Sequence, residues 1–302
     1  DMSSSTIDHA ATADTFSSDQ ILRSINIVFD AEHPERISHF FPTTKSVHLL
    51  NQMLGADDSA GRFVVAPYGS GKSLLAAFYH QIIENRPSAI SQLRTVIDRV
   101  GQVDSELHAR IEDRTSGDHM FRPTGIVVPL SGYVKDLPEA IYSGLLNSLK
   151  RLEIEEIHNK LLSLPHDTMD DLVGVLSLLR EQRGTNDFDH IDVLWDEFGR
   201  HLEEIVVRGE AHRLNELQLL SEFAVRSKRI TMNLVLFLHQ SLMRYASNVP
   251  QSVTHEWKKI EGRFETHQYV DDSKEVISLA ARVLESRFPG RHPSVETKQF
   301  HV

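Results

Sequence analysis

Eight consecutive residues, Ala66-Pro67-Tyr68-Gly69-Ser70-Gly71-Lys72-Ser73, constrain this chain more than any other segment. Main-chain N–H groups can hold a phosphate chain only where no side chain blocks the approach, and Gly69 and Gly71 leave it open. Ahead of the loop, residues 62–66 form a short apolar run that predicts a buried strand. Behind it, residues 73–85 repeat apolar side chains at helical spacing: Leu74, Leu75, Phe78, Ile82 and Ile83. A helix opening at Ser73 adds the positive end of its dipole. Lys72 then reaches the β- and γ-phosphates, and the Ser73 hydroxyl becomes a ligand for Mg2+. Ala66 stands where G-x-x-x-x-G-K-[ST] has its first glycine, a position that a small residue serves. The eight residues and Leu74 are the candidate nucleotide-binding set, with ATP and Mg2+ as ligands. The competing reading is an incidental Gly-Ser turn followed by lysine. Guanine specificity is disfavoured, because no Asn-Lys-x-Asp occurs.

Further strands are predicted at 125–130, 191–195 and 230–238, the last apolar almost throughout, as in a sheet covered on both faces. Helices are predicted at 20–29, at 45–54 with Gly55 as terminator, and over 88–113, 138–154, 155–163 and 169–183. A long helical stretch broken near Gly209 runs to about 227, and a last helix covers 272–286. Strands alternating with helices give an α/β fold, a P-loop NTPase three-layer core with a mostly parallel sheet. Residues 1–40 are read as an N-terminal arm, loosely docked over 1–19, and a leading helix. Residues 41–270 are the ATPase core with helical insertions near 88–122 and 151–186, and 271–302 the start of a helical lid. Asp1 ahead of Met2, and a tail from Pro293 to Val302 without a terminator, lead us to expect part of a longer polypeptide.

A phosphate loop needs an acid for its metal. His190-Ile191-Asp192-Val193-Leu194-Trp195-Asp196-Glu197 is an apolar run ending in two acids, interrupted only by Asp192 near its start. On a neighbouring parallel strand, Asp196 would face Ser73 and the Mg2+ shell, so Ser73 and Asp196 are the candidate metal ligands. Glu197 would orient and deprotonate an attacking water. A chance Asp-Glu pair in an acidic chain is the alternative.

At this point the chain resembles the AAA+ superfamily of ring-forming ATPases. After the loop and Asp196-Glu197 comes Leu234-Val235-Leu236-Phe237-Leu238 followed by His239-Gln240, where these proteins place a polar sensor of the γ-phosphate. Gln240 is the candidate, and His239 can equally hold the role. A polar cap on a buried strand is the bland alternative. Trp257-Lys258-Lys259-Ile260-Glu261-Gly262-Arg263-Phe264 resembles the segment carrying the arginine finger, which implies Arg263 acting on a neighbouring subunit's γ-phosphate. A surface arginine is the competing account. The catalytic set is thus Lys72, Glu197, Gln240 and Arg263. The resemblance covers roughly residues 40–285 and departs from the family in two ways. Lys72 and Asp196 are further apart than usual, which the helical insertions absorb. No lid arginine is marked by a motif, although Arg282, Arg287 and Arg291 are candidates. Pro-Tyr-Gly-Ser-Gly-Lys-Ser, His-Gln-Ser and Trp…Gly-Arg-Phe look like ATPase subunits of bacterial anti-phage defence systems, of the RADAR or bacteriophage-exclusion kind. That implies a homo-oligomeric ring and an effector protein as partner.

Composition narrows the alternatives. The chain has no cysteine, which excludes disulfides and thiolate metal sites, and a reducing cytoplasm is the expected compartment. The first residues lack the basic and apolar regions of a signal peptide, and no apolar run approaches a membrane span. A net charge of −11 disfavours non-specific coating of nucleic acid, lowering the standing of a translocase or loader. A nucleotide-dependent assembly scaffold remains the non-enzymatic alternative, and a small-molecule kinase would lack the acid pair followed by a sensor strand. The 17 histidines show no paired ligand spacing. Phe40-Phe41-Pro42 can face an adenine, with core packing as the plainer use.

Overall fold

The computed structural model describes residues 25–56, 61–181, 188–226, 230–270 and 273–290. The expected arm over 1–19, the start of the leading helix, Arg291 and the tail after it lie outside the described residues. Of the leading helix only Ile27–Asp30 is described as helical, capped by the Asn26 side chain.

The strands are β1 (Gly61–Val65), β2 (Gly125–Ser131), β3 (His190–Asp196), β4 (Thr231–Leu238) and β5 (Glu265–Gln268). They form one sheet in the order β2-β3-β4-β1-β5, and every pairing is parallel. β5 is an addition to the sequence reading. Its four residues, Glu-Thr-His-Gln, carry no apolar period, because an exposed edge needs none. Pro129, which cannot donate to a ladder, sits on β2 at the other edge.

In chain order the main helices are α1 (Thr44–Asn51), α2 (Lys72–Glu84), α3 (Ile90–Val103), α4 (Ser105–Thr115), α5 (Leu137–Arg151), α6 (Glu155–Leu162), α7 (Met169–Glu181), α8 (Phe198–Val207), α9 (Asn215–Arg226), α10 (Gln251–Glu261) and α11 (Ser273–Arg287). The segment expected as one helix over 88–113 is two, because Asp104 leaves helical geometry and caps Leu107 N–H at 2.8 Å. The stretch after Glu197 also divides, at Gly209 (φ +71°) and a 3-10 turn over Ala211–Leu214.

Period two along the strands separates the two faces of the core. Phe63, Ile126, Val128, Ile191, Val193, Trp195, Leu234 and Leu236 pack against α5–α10. Val64, Val127, Leu194, Val235 and Phe237 face α1–α4. The result is a three-layer α/β core, with the sheet buried between two helical layers. Helix α2 buries Leu75, Phe78, Tyr79, Ile82 and Ile83 completely, each worth about 2 kcal/mol of transfer free energy. It stops at Asn85, whose left-handed backbone (φ 46°) precedes Pro87. Phe40 is core, its ring 5.5 Å from that of Phe78, whereas Phe41 lies under the Arg99 guanidinium at 3.9 Å.

The last helix, α11, is tied to the start of α1 through Glu275, which accepts from the Thr44 N–H and hydroxyl. Ile277, Leu284 and Phe288 remain more than half exposed. No helix among the described residues is long and apolar enough to cross a membrane.

Candidate nucleotide-binding site

The loop leaves the carboxyl end of β1. Ala66 is fully buried and still in the ladder, its N–H donating to the Leu238 carbonyl at 2.8 Å. Pro67, Tyr68 and Gly69 turn outward, and Ser70 N–H closes the turn on the Pro67 carbonyl at 3.3 Å. Gly69 and Gly71 are both left-handed, at φ +75° and +80°. A Cβ built on either meets nothing within 4 Å, so the space beside both glycines is open. Gly71 is the N-cap of α2 and offers no side chain to its first N–H groups, those of Lys72, Ser73 and Leu74. The Ser70 hydroxyl is buried without a partner among the described residues. Leu74 packs its side chain on the core, so it contributes backbone to the site.

A correction to the sequence reading concerns β3, which is not the neighbour of β1. β4 lies between them. Asp196 nevertheless reaches the loop, because α2 passes over the sheet toward β3. The Ser73 hydroxyl donates to Asp196 Oδ2 at 2.5 Å, while Asp196 Oδ1 accepts from Glu197 N–H at 2.8 Å. Glu197 has a left-handed backbone (φ 50°) at the N-cap of α8, a strained conformation for a residue with Cβ. Its side chain is 33% exposed, open to water, with Arg200 Nη1 3.4 Å from Oε2.

The intervening β4 gives the site its other wall. His239, directly after β4, stacks on Tyr68 with ring centroids 3.5 Å apart, and Lys72 Nζ lies 5.5 Å from the Tyr68 ring. Of the two sensor candidates, His239 is in ring contact with the loop. Gln240 is half-buried one residue further on. Burial lowers the His239 pKa and the Lys72 charge lowers it further. Burial also lowers that of Lys72, against which the charges of Asp196 and Glu197 act.

Arg263 lies elsewhere. It precedes β5, whose Glu265 pairs with Arg62 at the amino end of β1, so it sits at the opposite end of the sheet from Lys72. There it pairs with Glu222 at 3.1 Å, with 47% of its side chain exposed. Any action on a nucleotide would be on another subunit's. Arg282 and Arg287 act electrostatically on Arg99 and His39 respectively, on the α3 flank.

Two oxygen donors and an open amide-lined turn fit a hydrated magnesium–nucleotide pair, since Mg2+ keeps water and phosphate oxygens and takes few ligands from protein. Ser73 Oγ and Asp196 Oδ2, 2.5 Å apart at the mouth of the loop, are the atoms that would hold the ion.

No protein-family model and no curated protein matches the chain. Among solved structures, a chain in a structure of Drosophila ORC bound to AT-rich DNA and Cdc6 aligns over 94% of this chain, with 11% identity and a TM-score of 0.34. The alignment spans 38% of that protein. With a likeness that low, the fold assignment stands on strand order, connectivity and the position of the glycine loop.

Proposed function

We propose that this chain binds ATP with Mg2+ at residues 66–74 and hydrolyses it, working as an AAA+-like motor or switch in an oligomeric ring. The observation that carries this reading is the 2.5 Å contact between the Ser73 hydroxyl and Asp196, beside a loop whose two left-handed glycines open onto free space. The γ-phosphate is attacked in line by water. Glu197, partly exposed just beyond β3, accepts the water proton. Lys72 and the amides opening α2 hold the charge that develops on the phosphate oxygens. Bound to Ser73 and Asp196, Mg2+ would neutralise charge on the β- and γ-phosphates. Arg263 is assigned to the nucleotide of a neighbouring subunit. The defence-system resemblance extends the reading to an effector protein as the partner that is switched.

Lys72→Ala is expected to abolish tight ATP binding, and Glu197→Gln to retain ATP while hydrolysing it slowly. Turnover undiminished by Glu197→Gln would reject the role of that residue. One contact favours a second reading. Arg200 Nη1, 3.4 Å from Glu197 Oε2, can hold that carboxylate away from an attacking water and leave ATP as an assembly ligand with little turnover. Phosphate release, compared with assembly driven by a non-hydrolysable ATP analogue, separates the two.

A further inference from the structure

Asp192 interrupts an otherwise apolar strand, and the catalytic reading above gives it no task. It is completely buried, as are Tyr79, Asn233 and Arg62. The Tyr79 hydroxyl donates to Asp192 Oδ2 at 2.7 Å. Asn233, its register partner on β4, donates Nδ2–H to Asp192 Oδ1 at 2.7 Å. Arg62 on β1 donates to Asn233 Oδ1 at 2.9 Å. One polar chain therefore runs β1–β4–β3–α2, through the four elements that carry the loop, His239, Asp196 and Ser73.

Burying such groups is costly, and a well-packed apolar set is often as stable or more so. What directed hydrogen bonds add over Leu75, Ile82 and Leu194 is a fixed slide and rotation of α2 on β3. Helix and strand touch through polar side chains at Ser73–Asp196 and, further in, at Tyr79, which meets Asp192 and lies 3.2 Å from His190 Nδ1. Between these points the helix advances six residues, about 9 Å, and the strand four, about 13 Å. The length of the phenol makes up the difference. Asp192 and Asp196 lie on the same strand face, so the inner contact sets the spacing at the outer one.

We propose that Tyr79 and Asp192 are positioning residues that hold Ser73 and Asp196 at the separation a bound magnesium ion requires. The proposal rests on the nucleotide reading above. Its test is the affinity of the purified full chain for a fluorescent ATP analogue, measured with Mg2+ and with EDTA, for wild type, Tyr79→Phe and Asp192→Asn. Thermal unfolding without nucleotide is recorded in parallel. The Mg2+-dependent gain in affinity is expected to shrink about tenfold in Tyr79→Phe, the lower end of what residues behind metal ligands contribute. Asp192→Asn should move it in the same direction, with EDTA affinities unchanged within about twofold. A purely structural role would lower the unfolding midpoint and weaken binding equally with and without Mg2+, or leave the gain intact, and either result overturns the proposal. A wild-type chain that binds no analogue, or gains nothing from Mg2+, overturns the nucleotide reading itself.

Discussion

Tyr68 on the glycine loop and His239 beyond β4 lie ring against ring, 3.5 Å between centroids and 25° from parallel. The contact joins the loop to the strand that separates β1 from β3. The His239 Nδ1 is buried without a hydrogen-bond partner among the described residues. Burial and Lys72 hold its pKa below the ordinary value, against a backbone hydrogen bond to Ala66, and so favour the neutral ring as a donor to a phosphate oxygen. His239→Ala is therefore expected to lower kcat by about 100-fold, the scale of one lost transition-state donor. Gln240→Ala should cost less. Steady-state phosphate release checks both, and a larger loss in Gln240→Ala would return the sensor role to that residue.

The loop glycines give a second expectation. Gly71→Ala puts a methyl into open space, so the loss without nucleotide should be confined to left-handed backbone strain, about 1 kcal/mol. Nucleotide affinity should fall well beyond that, because the methyl occupies the approach to the amides. Urea unfolding beside ATP titration checks the pair of values, and normal affinity would show that the phosphates do not lie against Gly71.

Much of this site was legible in the chain because its chemistry is local. Gly69, Gly71, Lys72 and Ser73 are close together in sequence, and β1, β3 and β4 stand out as nearly continuous apolar runs because both of their faces are buried. What could not be read is long-range. Strand order is written in no single segment, so β4 between β1 and β3 came from the structure, and with it the contact of His239 with the loop. β5 escaped because an edge strand with alternating half-exposed polar residues has no hydrophobic signature. Asp192 read as a blemish, because its partners Tyr79 and Asn233 are far away in sequence. A polar residue inside an apolar strand was the available signal.

Arg263 yields a prediction about subunits. Its partner Glu222 is 40% exposed and the contact screened, so breaking it should leave stability nearly unchanged. Arg263→Ala is expected to leave nucleotide affinity nearly intact and to lower turnover about 1000-fold, at the lower end of what a finger supplies. Mixing Arg263→Ala with Glu197→Gln protein should restore part of the activity if finger and base act across subunits. Absence of recovery at any mixing ratio would count against action in trans.

The far end of α2 provides a pH test independent of any ligand. Glu84 is fully buried. It lies 2.7 Å from His80 Nε2, accepts from Arg151 Nε at 2.9 Å, and is 3.0 Å from Arg86 Nε. Burial alone would raise its pKa, but the charges and hydrogen bonds of His80 and Arg151 prevail and hold it at about 2, against an ordinary 4.5. A carboxyl group with a lowered folded pKa favours the native state above its unfolded pKa and loses that contribution as pH falls toward the folded one. The window is therefore pH 4.5 down to about 2, and a shift of this size corresponds to about 3 kcal/mol. Glu84→Gln should be less stable at pH 7 by about 3–5 kcal/mol, since it leaves buried cations uncompensated. Between pH 4.5 and 2 the variant should lose less with acid than wild type. Urea midpoints at half-unit pH steps measure both slopes, and parallel curves would mean that Glu84 is not the group that titrates.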